Sequence, residues 1–276
     1  MDNLIKEYIV KPGPDSNFSK KEEVENFVDI YMLDPKVKGF GIEGFVSVLI
    51  DSWFYISKII PTRLINIIFD LSAEPSLYFV LIQEQKDLIK KYGYCITHDI
   101  LKKMVFMDAF IKESLTNSSS ASYIFRCISH DMFLSNGTFL RKGQLISINM
   151  FSKAHTTALK TGKRFDIRKH IFNKKSFTEP SMDNLIWGHG VRECPFSEYS
   201  GTLIKIFIAL LIRKLYVFSN IDGNPPVHPG YINIRTVVPL EHSVYFKRHN
   251  INDYRDLIDL EEEYNSIMNS NSNSNL

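Results

Sequence analysis

The sequence predicts a mainly α-helical protein with small β-sheets. Three observations carry that expectation. Apolar residues recur at helical spacing or in long apolar runs across 44–70, 76–92, 97–115 and 200–218. After Thr116 the texture changes, and Ile124-Phe125-Arg126-Cys127-Ile128 and Leu145-Ile146-Ser147-Ile148 read as short strands. Between those strands Ser135-Asn136-Gly137-Thr138 is a hairpin turn, because Asn-Gly adopts positive φ at little cost.

Residues 1–43 read as a helical and loop preamble. Lys11 to Ser16, with Pro12, Gly13 and Pro14, is a loop. Ser19-Lys20-Lys21-Glu22 resembles a capping box that opens a helix to about Met32. The body of the chain is 44–249. Its first stretch, 44–70, reads as a long buried helix that Pro61 kinks or splits, since proline has no N–H and clashes with the preceding turn. Leu77, Val80, Leu81, Glu84, Leu88 and Lys91 give a second helix, 76–92. Ile100, Leu101, Met104, Phe110 and Ile111 line a third, from Thr97 to Leu115. Residues 152–186 read mainly as loop. Ser200–Phe218 is a strongly apolar helix. Asp222-Gly223-Asn224-Pro225-Pro226 then turns the chain into strands at 231–238 and 242–248. Residues 250–276 read as a short helix and a disordered Asn/Ser tail.

Composition narrows the function classes. Lys and Arg total 33 against 31 Asp and Glu, a formal charge of +2, so no nucleic-acid partner is expected. The cysteines, Cys95, Cys127 and Cys194, lie far apart with no CxxC pair, which excludes a zinc ribbon and disfavours a disulfide framework. Neither a signal peptide nor an uncharged apolar run of transmembrane length is read. The expected setting is intracellular, cytoplasmic or membrane-peripheral. Gly39-Phe40-Gly41-Ile42-Glu43-Gly44 has the form GxGxxG. It lacks a preceding strand and the acidic residue that a dinucleotide site needs.

The informative segment is Trp187-Gly188-His189-Gly190-Val191-Arg192-Glu193-Cys194-Pro195-Phe196, followed by the apolar helix. It puts Cys194 in a glycine-rich loop at a helix N-terminus, where the helix dipole is expected to lower the thiol pKa. A thiolate is a strong, electron-donating axial ligand for haem iron. Gly188 and Gly190 let a flat macrocycle approach the backbone, and Arg192 suits a carboxylate such as a haem propionate. His189 reads as a loop-packing residue.

This segment resembles the haem-binding loop of the cytochrome P-450 monooxygenases, an aromatic-Gly-x-Gly-x-Arg-x-Cys-x-Gly pattern, with the fungal microsomal members most similar. Trp187 stands where Phe is usual and Phe196 replaces the glycine after the cysteine. The likeness extends over about 44–249. Phe69-Asp70-Leu71-Ser72-Ala73-Glu74-Pro75 resembles the end of the family's long distal helix. Phe110-Ile111-Lys112-Glu113-Ser114-Leu115-Thr116 resembles its Glu-x-x-Arg helix. Phe125-Arg126 sits where a strand presents a propionate arginine, and Phe165-Asp166-Ile167-Arg168-Lys169 where a meander supplies another. The resemblance implies a partial P-450 fold: long distal helix, proximal helices and haem-binding loop, without the N-terminal half. It implies haem held by the Cys194 thiolate, with Arg126 and Arg192 on the propionates, and Glu113 as a structural residue. The implied reaction is oxidation of a small organic substrate with dioxygen, fed by NADPH–cytochrome P-450 reductase.

The chain departs from the family in two clusters. Thr116 occupies the arginine position of Glu-x-x-Arg, so Glu113 is expected to lose one partner of the ionic cluster that the resemblance implies. Lys169 falls in the meander-arginine position, and Arg168 is the nearest substitute. Losing one partner of a buried pair costs about 3–5 kcal/mol, so Thr116→Arg is expected to raise the melting temperature. Ile59 and Ile60 fall where the family's threonine pair relays protons, and a local shift would be needed to bring the Ser57 hydroxyl into use. Two alternatives to an active monooxygenase follow: a truncated, inactive remnant, or a non-enzymatic interaction protein.

Overall fold

The computed structural model describes residues 41–119, 124–150, 165–172, 176–182, 184–219, 226–233 and 237–252. The helix expected after Ser19, the loop at 11–16, residues 152–164 of the expected 152–186 loop and the tail beyond 252 lie outside those residues. Two compact units divide the chain, Met1–Tyr55 and Ile56–Leu276. The first contains α1, Gly41–Phe54. Val48, Ile50, Trp53 and Phe54 on it are exposed. The expectation of a wholly buried helix over 44–70 is therefore corrected for its first half.

A π turn, Tyr55–Ile59, precedes α2, Ile60–Ala73. Pro61 stands one residue inside α2 and has no N–H for the carbonyl four residues back, so the ladder widens there into π geometry. The Thr62 hydroxyl donates to the Lys58 carbonyl at 2.6 Å and holds the junction. By length and composition the helical stretch Glu43–Ala73 is apolar enough to cross a membrane. The expectation of no such segment counted uncharged runs alone, and Asp51, Lys58, Arg63 and Asp70 interrupt this one.

Pro75 opens α3, Pro75–Tyr92, from the position where its missing N–H costs nothing. The expected third helix is two: α4, His98–Leu101, capped by the Thr97 hydroxyl, and α5, Val105–Asn117. Glu84 of α3 separates them. Its carboxylate accepts the N–H groups of Phe106 (2.6 Å) and Met107 (3.1 Å) and so caps α5 from another helix.

Strand β1, Ile124–Cys127, pairs antiparallel with β4, Leu145–Ile148. A smaller ribbon lies between them, β2 (Met132–Phe133) on β3 (Phe139–Leu140), closed by the Asn-Gly turn with Gly137 at φ 84. A short α6, Arg168–Phe172, follows. Helix α7 runs Ser197–Lys214 and gives way to β5, Leu215–Phe218, which pairs with β8, Tyr245–Arg248. The expected helix thus ends four residues early, because Leu-Tyr-Val-Phe is a β-prone run with a strand partner waiting. Strands β6, Tyr231–Asn233, and β7, Val237–Pro239, form a last ribbon.

The core joins α2, α3, α5 and α7 through Ile67, Leu71, Tyr78, Leu81, Phe110, Ile111, Ile204 and Ile208. Polar ties fix the layers. The Asn66 amide donates to the Val237 carbonyl at 2.9 Å. The Tyr78 hydroxyl donates to the Leu215 carbonyl. Arg213 Nε donates to Gln85 at 2.9 Å, and another of its nitrogens to the Tyr94 carbonyl at 2.7 Å. On α7, Gly201 lies in a notch: a Cβ there would meet Thr178 Cγ2 at 2.2 Å and the Phe177 ring at 3.0 Å.

Candidate functional site

The loop before α7 is two short 3₁₀ turns, Leu185–Trp187 and Gly190–Arg192, closed upon themselves. The Cys194 amide donates to the Trp187 carbonyl at 2.6 Å, and the Glu193 amide to the Gly190 carbonyl at 3.0 Å. The loop's base is fixed from below by one carbonyl. That of Phe177 accepts the Trp187 indole N–H at 2.6 Å and the Asn184 amide at 2.8 Å.

Gly188 meets two requirements at once. Its φ is +78°, and an added Cβ would stand 3.1 Å from the Arg192 carbonyl oxygen. Gly190 has φ +75° with open space around it, so only its backbone conformation demands glycine. Both glycines lie where the motif places them.

The Cys194 side chain is half-buried. Burial pushes its thiol pKa up, and an N–H donated by Phe196 opposes this only in part. The expected lowering by the helix dipole is therefore corrected: desolvation outweighs it. A thiol so placed gives up its proton when a cation binds the sulfur, since a coordinating thiol is deprotonated outright. Among the described residues no group of three or more His, Cys, Asp or Glu side chains converges on a metal position. A lone sulfur in a glycine loop suits a metal whose other ligands come with a macrocycle.

Arg126 reaches this loop from β1. One of its nitrogens donates to the His189 carbonyl at 3.0 Å and another to the Phe125 carbonyl at 2.9 Å. The structure therefore brings Arg126, Gly188, Gly190 and Cys194 into one neighbourhood. Arg192 is in the same loop with its side chain exposed. Phe125, Val191 and Phe196 are exposed apolar residues of the loop and its neighbouring strand.

Glu113 is not an orphan. One oxygen accepts the Asp166 backbone N–H at 3.2 Å; the other meets Lys169 Nζ and His170 Nε2, each at 2.7 Å. Lys169 thus fills the expected place. Arg168 does not compensate, because Asp166 holds it with two bonds of 2.9 Å. Thr116 donates back to the Lys112 carbonyl of its own helix. Sequence reasoning missed His170, which stands beside the position it favoured. Ile60, at the expected proton-relay position, is a buried core residue.

A second buried polar cluster was also missed. Asp70 accepts from Ser114 Oγ at 2.6 Å and from the Tyr231 hydroxyl at 2.9 Å, with His228 Nε2 at 3.6 Å. It ties α2, α5 and β6 together. Its members lie far apart in sequence, and no local pattern marks them.

The cytochrome P450 profile matches residues 62–230. The chain belongs to the cytochrome P450 family. It is similar to cytochrome P450 monooxygenase ntnM of Nectria sp, 29% identical over 170 residues, covering 58% of this chain and 32% of the relative. Cytochrome P450 monooxygenase AN1598 of Emericella nidulans is 30% identical over 154 residues, covering 52% and 29%. Among solved structures, a cytochrome P450 (CYP102L1) superposes with TM-score 0.69 at 14% identity, over 90% of this chain and 54% of the other. The architecture is thus part of a P450 fold, as the sequence implied. The chain spans about a third of the length of the curated relatives it matches.

Proposed function

We propose that this chain supplies the haem-thiolate part of a P450-type monooxygenase. The observation that carries the reading is the half-buried Cys194 sulfur in a glycine loop, with the Phe196 N–H on the sulfur and Arg126 of β1 fastened to the same loop. Cys194 would ligate the iron of haem, and Arg126 and Arg192 would balance the propionates. Gly188 and Gly190 keep side chains off the loop's face. When bound, haem supplies the activation of dioxygen that inserts oxygen into an organic substrate. The protein's residues hold and orient it: the Phe196 N–H stabilises negative charge on sulfur, and the Phe177 carbonyl holds Trp187 under the loop. Electrons would come from NADPH–cytochrome P450 reductase, and the reading places the chain inside the cell.

A reduced carbon-monoxide difference spectrum of the haem-reconstituted protein tests this. A thiolate-type Soret band that Cys194→Ala abolishes is the expected result. Absence of bound haem in the wild-type chain overturns the reading.

A second reading rests on Ile60. With a packed apolar side chain at that position, and Ile59 beside it, α2 offers no hydroxyl where the family relays protons. In that reading the chain binds haem and turns over no substrate. Substrate-free consumption of reducing equivalents, with no oxidised product, distinguishes it from the first.

A further inference from the structure

Glu113 fastens α6 to α5 through donors from one short segment, and two of those donors differ in kind. The carboxylate is 2% exposed; Lys169 reaches it from solvent at 40% exposure, and His170 from a site 11% exposed. A carboxylate has no hydrogen to give, so the 2.7 Å contact requires the proton of His170 on Nε2. A neutral imidazole therefore satisfies Glu113 fully. A second proton, on Nδ1, adds a buried cation beside two others, Lys169 on α6 and Lys112 on α5.

We propose that Glu113, Lys169 and His170 form an acid-released latch: α6 is clamped to α5 while His170 is neutral and loosens when it takes a second proton. The groups around the imidazole are Glu113 and Lys112 of α5, Asp166 and Arg168 beside it, and Lys169. The cavity it borders also carries His98, Lys102, Asp108, Lys205, Glu179 and Glu198.

The sign follows from two depressed pKa values. Burial lowers His170, with Lys169 and Lys112 adding to it against the pull of Glu113. As pH falls below about 6.5 the unfolded chain binds the proton first, and stability is lost toward the folded value. For Glu113, burial alone would raise the carboxyl, but hydrogen bonds from His170 and Lys169 outweigh it and hold it low. Its contribution is present above the ordinary carboxylate range and is lost further into acid, in the same direction.

The segment that opens α6 packs Phe165 on Phe110, ring centroids 5.0 Å apart, and buries Ile167. Four residues beyond α6 comes Ser176, and then Phe177, whose carbonyl carries Trp187.

Hydrogen exchange at the Asp166 amide, which donates straight to Glu113, reads the latch directly. Protection is measured at pH 7.5 and 5.5 and corrected for the intrinsic rate. In the wild type it is expected to fall on the order of tenfold. His170→Gln keeps an N–H donor and cannot titrate, so its protection should not change with pH. His170→Phe should be poorly protected at both. If the Phe variant does not fold, the Gln variant decides alone. A wild-type fall of less than twofold overturns the latch. So does a fall in His170→Gln at least half as large, on a logarithmic scale, as the wild-type one.

Discussion

Glu84→Gln should make the protein relatively more stable as pH rises. The Glu84 carboxylate caps α5 from α3, and burial pushes its pKa up to about 7, more than the N–H bonds of Phe106 and Met107 and the nearby Lys205 lower it. In the unfolded chain the group titrates near the ordinary glutamate value of 4.5. The folded state therefore holds its proton where the unfolded state has lost it. The stabilisation is full below about pH 4.5 and is lost as pH rises through about 7. Between pH 5 and 8 the integrated difference is about 2 kcal/mol, at 1.36 kcal/mol per pKa unit. Glutamine keeps one acceptor oxygen and turns an amide toward the second N–H. That costs about 1 kcal/mol at every pH and does not titrate. The gap between variant and wild type should thus close, and then reverse, by about 2 kcal/mol from pH 5 to pH 8. Urea unfolding of both proteins at each pH measures it, and the latch term cancels in the difference. A gap independent of pH refutes the burial argument.

Lys205→Met strands Asp108, since the pair is 2.5 Å apart with side chains 6% and 18% exposed. Breaking it should cost about 3 kcal/mol in urea unfolding, and adding Asp108→Asn should recover most of that. Gly188→Ala should lower stability by about 1–3 kcal/mol, from left-handed backbone and the close Arg192 carbonyl together. Gly190→Ala should cost less, having only the backbone term; equal losses would contradict the geometry. Thr116→Arg should leave the melting temperature nearly unchanged, because Lys169 and His170 already occupy Glu113. A rise of several degrees would show that those donors do not satisfy it.

The sequence marked what depends on near neighbours. Helix α3, the Asn-Gly hairpin and the two glycines of the cysteine loop were legible because their causes lie within a few residues. The break between α4 and α5 was not, since its cause is a carboxylate 22 residues earlier. The end of α7 was not, because β5 takes its partner from 245–248. The thiol's position was legible and its protonation was not: the motif announces the helix N-terminus, whereas desolvation depends on side chains from elsewhere. His170 escaped because a register count points to one residue, while a helical turn brings its neighbour to the same oxygen. Lys169 was legible because the count happened to fall on it.

The notch at Gly201 bears on how such chains are recognised. The residue two after the cysteine is Phe196, 40% exposed, at the position that the resembled loop pattern gives to glycine. The tight approach in this chain is seven residues after the cysteine, where α7 crosses Phe177 and Thr178. The side chain at 196 therefore reaches solvent, while a Cβ at 201 must push the Thr178 and Phe177 side chains aside. A signature that insists on glycine at 196 passes over this chain. A signature built on Gly188, Cys194 and Gly201 retains it.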